Sequence, residues 1–274
     1  KVIFDLLEQY DIDYQLYSPV VNVVLEGDRV TGVVVAAKEG HVTYTGKTIV
    51  DATGDGDVAY FAGCEMEVAG AADTGWRPPV TVAWALCNVD VERLYQWLES
   101  GVELDRHQFQ AFNDLLAQYR AQGYNLPGWI GFNRTTLPDV ISINNGTSLD
   151  LQLDCSLSAT LTLIEKMAID QALDFVRFAR EKQLPGLKEC YLMRTGGYAM
   201  PRDTRRLVGE YQFDDTDVME GTQFEDAVAS KYGGSDPVRG QRPYTAIKQG
   251  ALFPYRSLLP RSSQEGGVEG LLVA

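Results

Sequence analysis

Three stretches of this chain hold residue types able to bind a ligand or do chemistry, and one has the spacing of a nucleotide loop. Gly54-Asp55-Gly56-Asp57-Val58-Ala59 fits the GxGxxG/A pattern, in which glycines let bare backbone N–H groups approach a pyrophosphate. It follows an apolar strand and opens a short helix, as that pattern requires. Two carboxylates argue against the same use, because Asp55 and Asp57 set negative charge where the phosphates would lie. A primary phosphate loop is therefore rejected. A plainer role for both is at the helix start, where a carboxylate accepts orphan N–H bonds and complements the helix dipole. Calcium binding by Asp51, Asp55 and Asp57 fits neither the spacing nor the distal Glu of an EF-hand.

The second stretch is Met200-Pro201-Arg202-Asp203-Thr204-Arg205-Arg206-Leu207-Val208-Gly209-Glu210, three arginines within five residues of an acidic chain. Such a cluster forms surface ion pairs with Asp203, Glu210, Asp214 or Asp215, or it aims a guanidinium fork at an anionic ligand. In a strand Arg205 and Arg206 face opposite ways, so at most one of them serves a site. The third stretch is Phe253-Pro254-Tyr255-Arg256-Ser257-Leu258-Leu259-Pro260. Its Tyr and Arg are either structural or site residues. His41 and His107 lack any metal or triad pattern, and Cys64, Cys87, Cys155 and Cys190 form no CxxC pair. No metal site is expected. A hydrolase built on Asp55 and Asp57 has no support, since the two stand in one turn and not across a cleft.

Helical spacing marks 1–10, 58–62, 91–98, 106–122 and 157–182. Strands are expected at 13–17, 20–25, 30–36, 42–51, 80–86, 141–143, around 189–193 and 207–213, and at 251–255, with a loop from Gly233 to Pro243. The strands from 20 to 51, joined by Gly-containing corners at 26–28 and 38–41, read as an antiparallel meander. Its last strand delivers Asp51-Ala52-Thr53-Gly54 to the start of a helix. The fold class is mixed α/β.

The string Thr48-Ile49-Val50-Asp51-Ala52-Thr53-Gly54-Asp55-Gly56-Asp57-Val58-Ala59 resembles FAD-dependent oxidoreductases of the glutathione-reductase-like class that share a DATGDGD signature. Residues 202–209 are similar to the same family's Arg-(Glu or Asp)-Thr-Arg-Arg-x-x-Gly motif, with Asp217, Phe224 and Asp226-Ala227 following in order. Residues 254–260 look like its Pro-Tyr-Arg-x-Leu-x-Pro segment. The resemblance implies that Ala52-Thr53-Gly54 closes over FAD, with Asp55, Gly56 and Asp57 beside it. It also implies that a backbone amide near the start of the meander, assigned to Val21, meets the adenine. Arg202, Arg205, Tyr255 and Arg256 become candidate catalytic residues near the flavin or an anionic small-molecule substrate. Family members tend to carry an Asp-x-His step that Tyr232 to Arg239 lacks, so no histidine acid/base is expected there.

The organisation implied is a partial FAD-binding Rossmann-like domain at 1–77, a mixed-sheet and helical substrate domain at 78–250, and a return segment at 251–274. Both edges read as cuts: the first helix has no N-cap, and Gly270-Leu271-Leu272-Val273-Ala274 is a strand that stops before any loop. The expectation is an internal fragment, inactive alone and holding little FAD, of an enzyme that passes hydride to or from flavin. The alternative is a non-catalytic scaffold whose Arg202–Arg206 cluster holds an anionic ligand or a partner. With 45% hydrophobic and 23% charged residues the chain is globular in composition. A net charge of -14 and a pI near 4.6 exclude a generic nucleic-acid binder. No apolar run spans a bilayer and no signal sequence opens the chain, so a cytoplasmic protein away from membranes is expected, possible as an oligomer.

Overall fold

Alternating valines build the first sheet. In the computed structural model, which describes residues 1–68, 80–99, 110–128, 130–143, 153–201, 204–231, 250–261 and 268–274, helix α1 (Val2–Gln9) precedes strands β1 (Val20–Glu26), β2 (Arg29–Ala37) and β3 (Gly40–Thr45). These pair antiparallel in the order β1-β2-β3, with Val30 and Val35 turned into the core. Residues 13–17 form no strand; the chain there is exposed and Tyr17 takes a positive φ of 57°, which breaks an extended run.

The expected strand 42–51 is two strands. β3 ends at Thr45, and after Gly46-Lys47-Thr48 the chain resumes as β4 (Ile49–Asp51). β4 leaves the meander and pairs in parallel with residues 271–273. Helix α2 (Asp57–Phe61) and strand β5 (Met66–Val68) follow.

The chain divides into two compact units, 1–67 with 205–274, and 68–204. The second unit contains β6 (Trp84–Cys87), α3 (Val91–Glu99), α4 (Gln110–Arg120), β7 (Phe132–Arg134), β8 (Ile141–Ile143), α5 (Ser158–Glu181) and β9 (Tyr191–Thr195). Its strands pair antiparallel in the order β7-β8-β6-β9. One face of that sheet presents Trp84, Leu86, Phe132, Ile141 and Ile143 to Phe175 and Phe178 of α5, with Phe112 of α4 between them. Trp84 meets Phe175 edge-on at 5.2 Å between centroids, a geometry that adds to simple burial. A cavity of about 360 Å³ beside the end of α4 is lined by Tyr124, Asn125, Asp174 and Glu181. Asp174 there already pairs with Arg177 and Asn125, and Glu181 with Lys182 and Tyr124.

The first unit is completed by β10 (Arg205–Leu207), α6 (Asp215–Glu220), β11 (Ala227–Lys231), β12 (Ala251–Pro254), a 3-10 turn Tyr255–Ser257 and β13 (Leu271–Val273). β10 pairs with β5, β11 with β12, and β13 with β4. The strand expected to run from 207 to 213 is regular only at Leu207; beyond it Gly209 bridges Pro260, and Asp214 then caps α6 in a reciprocal box with Asp217. The expected loop 233–243 and residues 106–109 of the expected fourth helix lie outside the described residues. Val30, Val58, Ala59 and Leu271 form the core of this unit, so α2 and β13 close on the meander.

Candidate functional site

The turn after β4 is held from beneath by a buried carboxylate. Asp51 is 1% exposed. Its Oδ1 accepts from the Thr53 backbone N–H at 3.0 Å and from Thr53 Oγ1–H at 2.7 Å, and its Oδ2 accepts from the Ala59 N–H at 3.0 Å. Thr53 Oγ1 in turn accepts from the Asp57 N–H at 2.9 Å. Two orphan amides of the first turn of α2 are thus satisfied from β4 and the turn. The helix is capped by Asp51 and Thr53, where local reasoning pointed to Asp55 and Asp57.

That cap frees the surface of the turn. Ala52, Thr53 and Gly54 are exposed. Gly54 has φ 83° with open space where a Cβ would stand, so its backbone is accessible in a conformation that side-chain residues rarely adopt. Gly56, at φ 63°, is different: a Cβ there would meet Met66 Cε at 2.7 Å. One glycine keeps a surface bare and the other lets β5 pack close.

The arginine motif returns to this turn. Arg205, on β10, bonds the Asp57 carboxylate through Nη2 and the Asp55 carbonyl through Nε at 3.3 Å. Its guanidinium also stacks over the Tyr60 ring at 4.2 Å, and only 14% of its side chain is exposed. Arg206 faces Glu67 at 3.9 Å, half exposed. The two arginines are divided between the interior and the surface, as alternation in a strand requires. Burial raises the Asp57 pKa, an effect that Arg205 opposes and that the charges of Asp55 and Asp51 reinforce. Arg202 lies outside the described residues.

Tyr255 and Arg256 belong to a neighbouring assembly. Asp226 accepts from Arg256 Nη1 at 3.0 Å and from the Arg256 N–H at 3.2 Å, and the Tyr255 N–H donates to the Asp226 carbonyl at 2.8 Å. The Arg256 guanidinium lies 5.0 Å from the Tyr211 ring and 5.1 Å from that of Phe224. Tyr211 Oη–H donates to the buried Asp217 at 3.0 Å. Asp217, Phe224 and Asp226, named above only as followers of the arginine motif, are therefore the frame that holds Arg256. Tyr255 is 41% exposed. Beyond it, the Leu258 carbonyl accepts from the Val273 N–H at 2.9 Å and the Asp51 carbonyl from the Ala274 N–H at 2.9 Å, which ties the segment through β13 to β4.

Val21 sits in a bulge. Val20 pairs with Val35 and Asn22 with Val34, so the register skips Val21, and a bulge re-aims a residue out of its ladder. Strand β1 packs against α2, which brings Val21's strand beside the turn. Among the described residues no three His, Cys, Asp or Glu side chains cluster as metal ligands. No helix among them is long and apolar enough to cross a membrane.

A strand that ends in an exposed glycine turn, with a helix start behind it, leaves its backbone open to a ligand. The sequence matches the family FAD dependent oxidoreductase over residues 1–274, and the chain belongs to that family. No curated protein sequence matches it. Among solved structures it is similar to a geranylgeranyl bacteriochlorophyll reductase-like protein from Thermoplasma acidophilum, at 13% identity and a TM-score of 0.41 over 72% of this chain and 40% of that one. It is also similar to the myxobacterial chondrochloren halogenase, at 16% identity and a TM-score of 0.41 over 73% and 40% of the two chains. The flavin-dependent brominase Bmp2 matches at 13% identity and a TM-score of 0.37 over 73% and 41%. The chain thus spans about two fifths of the length of these proteins.

Proposed function

We propose that this chain is part of a flavoenzyme of the glutathione-reductase-like class that holds FAD against the Ala52-Thr53-Gly54 turn and acts on a small molecule. The observation that carries the reading is Gly54: an exposed backbone at φ 83°, with open space in place of a side chain, at the end of a strand that faces a helix start. The residues fit a bound dinucleotide, because the turn offers approach and its buried carboxylate is spent on the cap. Val21, Ala52, Thr53, Gly54, Asp55, Gly56 and Asp57 are the proposed cofactor contacts. Bound flavin supplies hydride exchange, and the protein's share is orientation and electrostatics.

Asp226 holds Arg256 and bonds the Tyr255 N–H, and Tyr255 and Arg256 both stay partly exposed, open to a ligand. An anionic substrate is best served by Arg202, since Arg205 is occupied within the chain. The same occupation weighs against the scaffold reading, which needs the 202–206 cluster as an open cationic patch.

The test is FAD titration of the product of the whole reading frame and its Gly54→Val variant, followed by flavin fluorescence, with circular dichroism as the fold control. The variant puts a branched side chain into the open space, and about a tenfold or greater loss of affinity is expected at unchanged fold. Equal affinity in both proteins would remove the turn from the cofactor site. Flavin content of the purified chain checks a separate expectation, that alone it holds little FAD; one flavin released per chain on denaturation would contradict it.

A further inference from the structure

We infer that Arg205 is a positioning residue that neutralises Asp57 inside the Gly54-Asp55-Gly56-Asp57 turn, so that an anionic dinucleotide can approach a loop whose own sequence carries two carboxylates. The inference deepens the proposed function and rests on it. Its starting point is a conflict in the sequence: a turn shaped for a phosphate-bearing ligand holds Asp55 and Asp57, which would repel one. The fold sets a cation against Asp57 from 148 residues away. Arg205 places its guanidinium on the Asp57 carboxylate, a second donor on the Asp55 carbonyl, and its flat face on Tyr60 one turn along α2.

Each of these contacts has a separate consequence. The ion pair is partly withdrawn from solvent, with the side chains of Arg205 and Asp57 exposed by 14% and 35%, so salt screens it less than a pair on the open surface. The bond to the Asp55 carbonyl fixes the backbone between the two glycines. Stacking on Tyr60 removes the freedom that would let the guanidinium swing toward solvent or a substrate. A lysine would supply charge but neither the second donor nor the stacking plane.

A residue that merely held the fold together would be missed whether or not Asp57 stayed charged. A neutralising residue is dispensable once Asp57 is neutral. The experiment therefore compares Arg205→Gln, Asp57→Asn and the double variant Arg205→Gln/Asp57→Asn in the product of the whole reading frame. FAD and ADP affinities of the apoprotein are measured by fluorescence titration, with thermal unfolding recorded for each. Arg205→Gln is expected to weaken both ligands about tenfold or more, and Asp57→Asn, which removes the repelling charge from the turn, to tighten them. The double variant is expected to return to within about threefold of the parent. Arg205→Lys is the control that folds if Gln does not, and intermediate affinity is expected of it.

If Arg205→Gln weakens binding and the double variant is as weak, neutralisation is overturned while the turn keeps its place in the cofactor site. If Gly54→Val weakens binding and no Arg205 or Asp57 variant does, the inference alone fails. If none of these variants, Gly54→Val included, alters affinity, the proposed site itself fails.

Discussion

Asp51 answers three donors with two oxygens, and the value of each bond differs with its surroundings. Thr53 is exposed, so water can replace its share. Ala59 is fully buried, and without Asp51 its N–H has no acceptor. Asp51→Ala is therefore expected to cost about 2 kcal/mol, most of it from that one amide and the lost carboxylate at the helix start, and urea unfolding reads it directly. Cys64 lies in the same neighbourhood. Burial, with the charge of Asp51 behind it, pushes its thiol up to about 11, and burial does the same to Cys190. Both are protonated at pH 8 and are expected to alkylate slowly there under iodoacetamide, as followed by mass spectrometry. The folded state holds these protons more tightly than the unfolded chain, whose thiols have an ordinary value of 9.0. Stability from this source is intact below pH 9, falls as pH rises toward 11, and changes no further above it. An unfolding free energy that is flat across that window would contradict the assignment.

Elements show why two glycines of similar φ differ in their tolerance. Gly186, at φ 79°, precedes β9 and lies against the start of α3, where a Cβ would come within 2.6 Å of the Asp90 carbonyl oxygen and the Leu94 nitrogen. Its own carbonyl accepts from the Asp90 N–H at 3.0 Å. Backbone cannot yield as a side-chain tip can, so Gly186→Ala is expected to destabilise by about 3 kcal/mol, combining strain with overpacking. Gly54→Ala meets open space and carries strain alone, about 1 kcal/mol. Denaturant midpoints of the two variants test the order, and equal losses would refute it. The strand, turn and helix around Gly54 were legible in the sequence because each depends on neighbours within about ten residues. The break between β3 and β4 was not: valine and threonine alternate with equal ease in either sheet, and alternation does not say which strand lies alongside.

At the scale of the whole molecule the net charge of -14 dominates encounters with other polyanions. No retardation of duplex DNA is expected in a gel-shift at 0.15 M salt, and a shift at that ionic strength would overturn the expectation. Arg205, Arg206, Arg256 and Arg261 each face a carboxylate of their own unit. The unit that holds the candidate site is assembled from 1–67 and 205–274, with 68–204 forming a unit of its own. Fold class and family motifs could be read in order along the chain. The return of 205–274 to the first segment depends on packing between distant parts.

By itself the sequence determined that a strand would deliver an Ala-Thr-Gly turn to a helix, that an arginine pair would split between two faces, and that the turn would carry two carboxylates. Glycine, alternation and charge act locally, which is why those features could be read without coordinates. Tertiary structure alone decided that Asp51 and Thr53 cap α2, that Arg205 pairs with Asp57, and that Asp226 takes Arg256. Each of those contacts joins a charge or an orphan amide to whichever partner the packing brings within about 3 Å, and residue spacing along a chain does not encode that distance.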